Sequence, residues 1–178
     1  SMGANVGGAI SECVAYLLFI LLIFDVKLDL KKIIMIGVAT VLIVVAFAGL
    51  DFLMGSESHL SVFTNQIIQE GPAAIINTFG RKIQMNMKLA KSSVWVNILI
   101  VSIVIIGALI FKPSGYFKKI HDKYPMIFKG FIASMVGCLI TLLVNDSGIV
   151  AAATASIYIL IPILVISINM IIFKSERE

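Results

Sequence analysis

Apolar residues along this chain fall into long blocks, with polar residues gathered in the segments between them. Five blocks stand out, at about 6–24, 33–54, 94–111, 126–144 and 149–173. Each is close to the ~20 residues that a helix needs to cross the hydrocarbon core of a bilayer. The pattern predicts an all-α fold: a polytopic membrane protein with five transmembrane helices, forming one transmembrane domain over residues 1–178. The spacing changes between the second and third blocks. Leu60, Phe63, Ile67 and Ile68, then Ile83, Met87, Ala90 and Val94, recur at helical intervals among polar residues. Two amphipathic helices are predicted there, at about 60–70 and 81–93, lying in the membrane interface. Gly71-Pro72 should break the first, and Gly80 should precede the second. Asn145-Asp146-Ser147-Gly148 is a string of turn formers, so the last two spans should form a tight hairpin.

Composition removes the competing classes. Of 178 residues, 60% are hydrophobic and 13% charged, against roughly half and a quarter in soluble domains. A water-soluble globule is excluded. Lys+Arg number 14 and Asp+Glu 10, scattered between apolar blocks without a basic tract, so nucleic acid is not an expected partner. Both cysteines, Cys13 and Cys138, lie inside apolar blocks and offer no disulfide or metal spacing. The two histidines, His59 and His121, fall on opposite sides, so no metal centre and no cofactor are expected.

Sidedness follows from the basic residues. Lys27, Lys31, Lys32, Lys112, Lys118, Lys119, Lys123, Lys129, Lys174 and Arg177 gather on one side, and only Arg81, Lys82, Lys88 and Lys91 on the other. Positive residues resist translocation. The ledger of ten against four therefore places the C-terminus in the cytoplasm and the N-terminus, the long loop and the hairpin outside. The first block lacks a basic leader and a cleavage site and reads as a retained span. Ser1 and Met2 look like a protease scar joined to a start, and the outside N-terminus of an odd-numbered bundle suggests a piece of a longer protein.

The candidate chemistry lies on the outer side. Glu12 is expected roughly 12 Å below the outer boundary, where an unpaired carboxylate is costly. Asp51 lies near the outer end of the second block, and Asp146 lies in the hairpin. Facing them are His59, Arg81 and Lys82, with Asn5, Asn86 and Asn145 as amide partners. One reading is an outward-facing polar site in which Glu12, Asp51 and Asp146 share a network with Arg81 or Lys82. The other is a set of separate ion pairs and helix caps. Lys129 should snorkel to the cytoplasmic interface. Gly130-x-x-x-Ser134, Ala133-x-x-x-Gly137 and Ala151-x-x-x-Ala155 should make close helix contacts.

Several strings read together: Gly3-Ala4-Asn5-Val6-Gly7-Gly8, Leu50-Asp51 with Ser58-His59-Leu60, Arg81-Lys82-Ile83-Gln84-Met85-Asn86 ahead of Trp95, and Asn145-Asp146-Ser147-Gly148-Ile149. Over nearly the whole chain they resemble the C-terminal membrane region of large Gram-positive multispanning proteins. The other part of those proteins looks like an extracytoplasmic domain of the alkaline phosphatase or phosphoglycerate mutase superfamily. The resemblance implies a bacterial plasma-membrane protein of the cell envelope, with Asn5, Asp51, His59, Arg81, Lys82, Asn86, Asn145 and Asp146 in one outward-facing constellation. The phosphatase-like part would lie outside this chain, so the chain itself is not expected to be catalytic. The leading expectation is a membrane domain that binds an anionic lipid-linked substrate for an outer partner domain, with membrane lipids, an upstream domain and a second copy as its partners. The alternatives are a transporter or ion-binding protein using Glu12, and a structural anchor or dimerisation module.

Overall fold

A computed structural model describes residues 6–53, 67–111 and 116–175. Those residues are helical, with short connections and no strand among them. The helices are α1 (Val6–Ile23), α2 (Leu30–Leu53), α3 (Pro72–Ser92), α4 (Trp95–Phe111), α5 (Tyr116–Lys123), α6 (Pro125–Val144) and α7 (Gly148–Ser175). Segments of α2, α6 and α7 are long and apolar enough to cross a membrane. α1 and α4 are apolar too, at 18 and 17 residues.

Local chemistry sets the ends. α1 stops at Asp25, whose φ of 52° is left-handed. Its N–H bonds the Leu22 carbonyl while the Val26 N–H reaches the Leu21 carbonyl, the paired closure of a helix C-terminus. The Asp29 carboxylate accepts the Lys32 N–H at 2.8 Å and caps α2. α3 and α6 each open with a proline in the first turn, where the missing N–H removes nothing. Gly71, just before α3, has φ 67°, a conformation that side chains with a Cβ resist.

The α6 helix is central. It packs most extensively on α1 and also on α7, while α4 packs on α7 and α2 chiefly on α1. The α1–α6 seam is antiparallel and made by small residues. A Cβ on Gly7 would stand 2.7 Å from the Val144 carbonyl oxygen, and one on Gly137 would stand 3.0 Å from Ala15 Cβ. Gly130 lies beside Phe19 at the other end of the seam. On α1 the contributing residues are Gly7, Ser11 and Ala15, one per turn. Of the small residues singled out on the fourth block, Gly130, Ala133 and Gly137 face α1, whose matching stripe was also present in the sequence, whereas Ser134, expected in a close contact, is exposed. Ser11 turns its hydroxyl back onto the Gly7 and Gly8 carbonyls, so the close approach leaves no polar atom bare.

The loop differs from expectation in one respect. Helix α3 runs unbroken through Gly80, where a helix start was expected. Ile76, Phe79 and Ile83 keep a single helical phase across that position, which outweighs the ~1 kcal/mol glycine costs inside a helix. Residues 67–70 are helical and close on Gly71; the rest of the expected 60–70 helix lies outside the described residues.

Candidate functional site

The polar residues meet where α3 crosses the end of the α6–α7 hairpin. α3 and α4 are bent by 97°. Ser93 makes the corner: its backbone N–H closes α3 on the Leu89 carbonyl, and its hydroxyl accepts the Trp95 N–H that opens α4. The sharp turn lays α3 across the hairpin.

Asn86 is the hub of the contact. Its Nδ2 donates to the Leu142 carbonyl at 3.1 Å and to the Asn145 carbonyl at 3.0 Å, and its Oδ1 accepts the Ile149 N–H at 3.2 Å. One amide thus satisfies two carbonyls at the end of α6 and one N–H at the start of α7, groups that a helix cannot satisfy internally. Gly148 makes the approach possible. A Cβ there would overlap the Leu142 carbonyl, with its carbon at 2.8 Å, and would reach Asn86 Nδ2 at 3.0 Å. One turn away, Lys82 Nζ stands 3.3 Å from Asp146, with the lysine side chain 14% exposed and the aspartate 52%.

Three faces of α3 are distinct. Ala74, Thr78, Lys82, Asn86 and Leu89 turn toward the bundle. Ile75, Ile76, Phe79, Ile83 and Met87 form an exposed apolar face. Asn77, Arg81, Gln84, Lys88 and Lys91 form an exposed polar one.

Of the expected constellation, Lys82, Asn86, Asn145 and Asp146 come together. Asn145 also closes α6 through its N–H to the Thr141 carbonyl. Arg81 is exposed on the polar face of α3. Asp51 lies in α2, but its side chain, like Asn5 and His59, lies outside the described residues. Glu12 departs from the expected network. It is exposed on α1 and makes no hydrogen bond or ion pair among the described residues. The reason is geometric: the small stripe that packs α1 onto α6 turns Glu12 outward, while Lys82 is held at the hairpin by Asp146. At the opposite end of the bundle, Lys129 pairs with Asp25 at 2.6 Å. The pair, compatible with the snorkelling expected of Lys129, joins the end of α1 to the start of α6. Among the described residues no three His, Cys, Asp or Glu side chains converge as metal ligands. Compared with protein families, curated proteins and solved structures, the chain matches none.

Proposed function

We propose that this chain is the membrane domain of a bacterial cell-envelope protein, in which α3 lies along the outer surface and gathers anionic phosphate. The observation that carries the reading is the three-sided α3 beyond a 97° corner. A helix with one face on the bundle, one apolar face and one basic face fits an interface, with hydrocarbon on one side and headgroups on the other. On this reading α1, α2, α4, α6 and α7 are the five spans, and the basic ledger puts α3 outside. Arg81, Lys88 and Lys91 meet the phosphate, of bulk lipid or of a lipid-linked substrate bound for an outer phosphatase-like domain. Lys82 leaves that set because Asp146 already engages it. Glu12 lies on the outside of α1, which favours this reading over transport through the bundle.

Trp95, the sole tryptophan, sits at the corner and reports on nearby lipid. In reconstituted bilayers, brominated phosphatidylglycerol should quench its fluorescence more strongly than brominated phosphatidylcholine. The preference should vanish in the Arg81→Gln, Lys88→Gln, Lys91→Gln triple variant. Displacement of the brominated lipid by a small proportion of polyprenyl phosphate would assign the site to a lipid-linked ligand; its failure to compete would assign it to bulk lipid. Equal quenching by both headgroups in the unmodified protein would refute the reading.

A further inference from the structure

Within the spans, several hydroxyls are settled locally, and Thr40 on α2 is buried without a hydrogen bond among the described residues. Ser11, Thr154, Ser156 and Ser167 each donate to a carbonyl of their own helix. Four polar side chains on one face of the bundle do not follow that pattern. Tyr16 and Tyr158 are 68% and 75% exposed, and Glu12 and Ser134 are exposed as well. Among the described residues none of the four makes a hydrogen bond or ion pair.

They share a face. Ser134 of α6 and Tyr158 of α7 line one open groove of about 400 Å³ with Phe19 of α1, floored by Gly130. Glu12, Tyr16 and Phe19 follow one another at intervals of four and three, so they occupy one side of α1. The antiparallel seam also fixes their depth. Ala15 meets Gly137 and Phe19 meets Gly130, which sets Tyr16 level with Ser134 to within about one turn. Glu12 lies about 6 Å nearer the hairpin end than Tyr16. Hydrocarbon cannot satisfy a carboxylate or hydroxyls at this depth, so the face needs a polar cover.

We propose that a second copy of this chain supplies the cover, in a two-fold dimer with α6 against α6. The face is self-complementary in the way a two-fold axis requires. The acceptor, Glu12, lies on α1 to one side of α6, and the phenol donor, Tyr158, lies on α7 to the other. Rotation about an axis beside Ser134 brings α1 of each copy onto α7 of its partner. Side chains on a helix lean toward its N-terminus. For α7 and α1 alike that is the hairpin end, and the phenol of Tyr158, the longer of the two side chains, is carried further that way and narrows its offset from Glu12. Each copy's Tyr158 then donates to the opposite Glu12, with the two Ser134 residues near the axis. The two Glu12 carboxylates stand on opposite sides of the interface and do not oppose each other.

The test uses the full chain in lipid bilayers. Ser134→Cys should cross-link to itself under mild oxidation above the background of the unmodified protein, whereas Val104→Cys, exposed on α4, should not. Glu12→Leu and Tyr158→Phe should each raise the dimer dissociation constant roughly tenfold or more, the loss expected for hydrogen bonds to a charged group. Because the two are partners, the double variant should be little worse than either single one. A monomer at all protein-to-lipid ratios would overturn the proposal. So would a dimer that cross-links through Val104→Cys alone, or one whose dissociation constant is unmoved by Glu12→Leu. None of these outcomes bears on phosphate at α3, which Trp95 quenching reads separately.

Discussion

The hairpin end of the bundle and the face at mid-depth carry similar side chains and use them in opposite ways. At the hairpin, Asn86 and Lys82 engage three backbone groups and one carboxylate contributed by the α6–α7 connection. At mid-depth, Glu12 and the hydroxyls of Tyr16, Ser134 and Tyr158 stand on an exposed surface without partners among the described residues. Among the described residues the first region is saturated within the chain and the second is not. In a membrane protein a polar residue is therefore read best by its bonding state together with its exposure: matched groups hold a fold together, and unmatched ones exposed at depth point to an interface.

The comparison breaks if the saturated end proves dispensable. Asn86→Leu should have the largest effect, because it strips partners from two carbonyls and one N–H at a part-buried site. A loss of about 3 kcal/mol in unfolding free energy is expected, from roughly 1 kcal/mol for each interhelical bond. Reversible unfolding in mixed micelles would measure it, and a value near zero would reduce Asn86 to an incidental contact. Gly148→Ala comes next. Its Cβ must displace the Leu142 carbonyl and loosen the same amide, at a cost of about 2 kcal/mol, in the usual range for overpacking. Because both substitutions act on one joint, their combined effect should fall short of the sum. The smallest effect belongs to Lys82→Met. With Asp146 half exposed, water screens the pair, so less than about 1 kcal/mol is expected, and less again in high salt. A loss as large as that of Asn86→Leu would shift the centre of the joint from the amide to the charge pair.

The apolar blocks were legible in the sequence because hydropathy is a first-order property of each residue and needs no knowledge of neighbours. The hairpin at Asn145–Gly148 was legible for a similar reason, since turn formers act locally. Gly80 misled because its local breaking tendency was weighed without the apolar phase on either side. Asn86 and Asn145 were visible as polar candidates. That one amide would serve both helix ends was not, because its partners lie 56 to 63 residues away. Glu12 shows the same limit from the other side. Its place in an apolar block argued for a partner, but which side of α1 it occupies is decided by Gly7, Ser11 and Ala15, whose packing depends on α6.

Those long separations have a consequence in time. A ribosome makes α1 and α3 well before the residues that hold them. Asn86 is synthesised dozens of residues ahead of Leu142, Asn145 and Ile149, and Asp25 precedes its partner Lys129 by 104 residues. Until α6 emerges, α1 can be supported in the bilayer by α2 and lipid but not by the helix it packs on most. The α6–α7 hairpin therefore closes these contacts: its arrival completes the α1 seam and fastens the α3 joint together. A nascent chain halted before α6 would have its early helices made and its bundle unassembled.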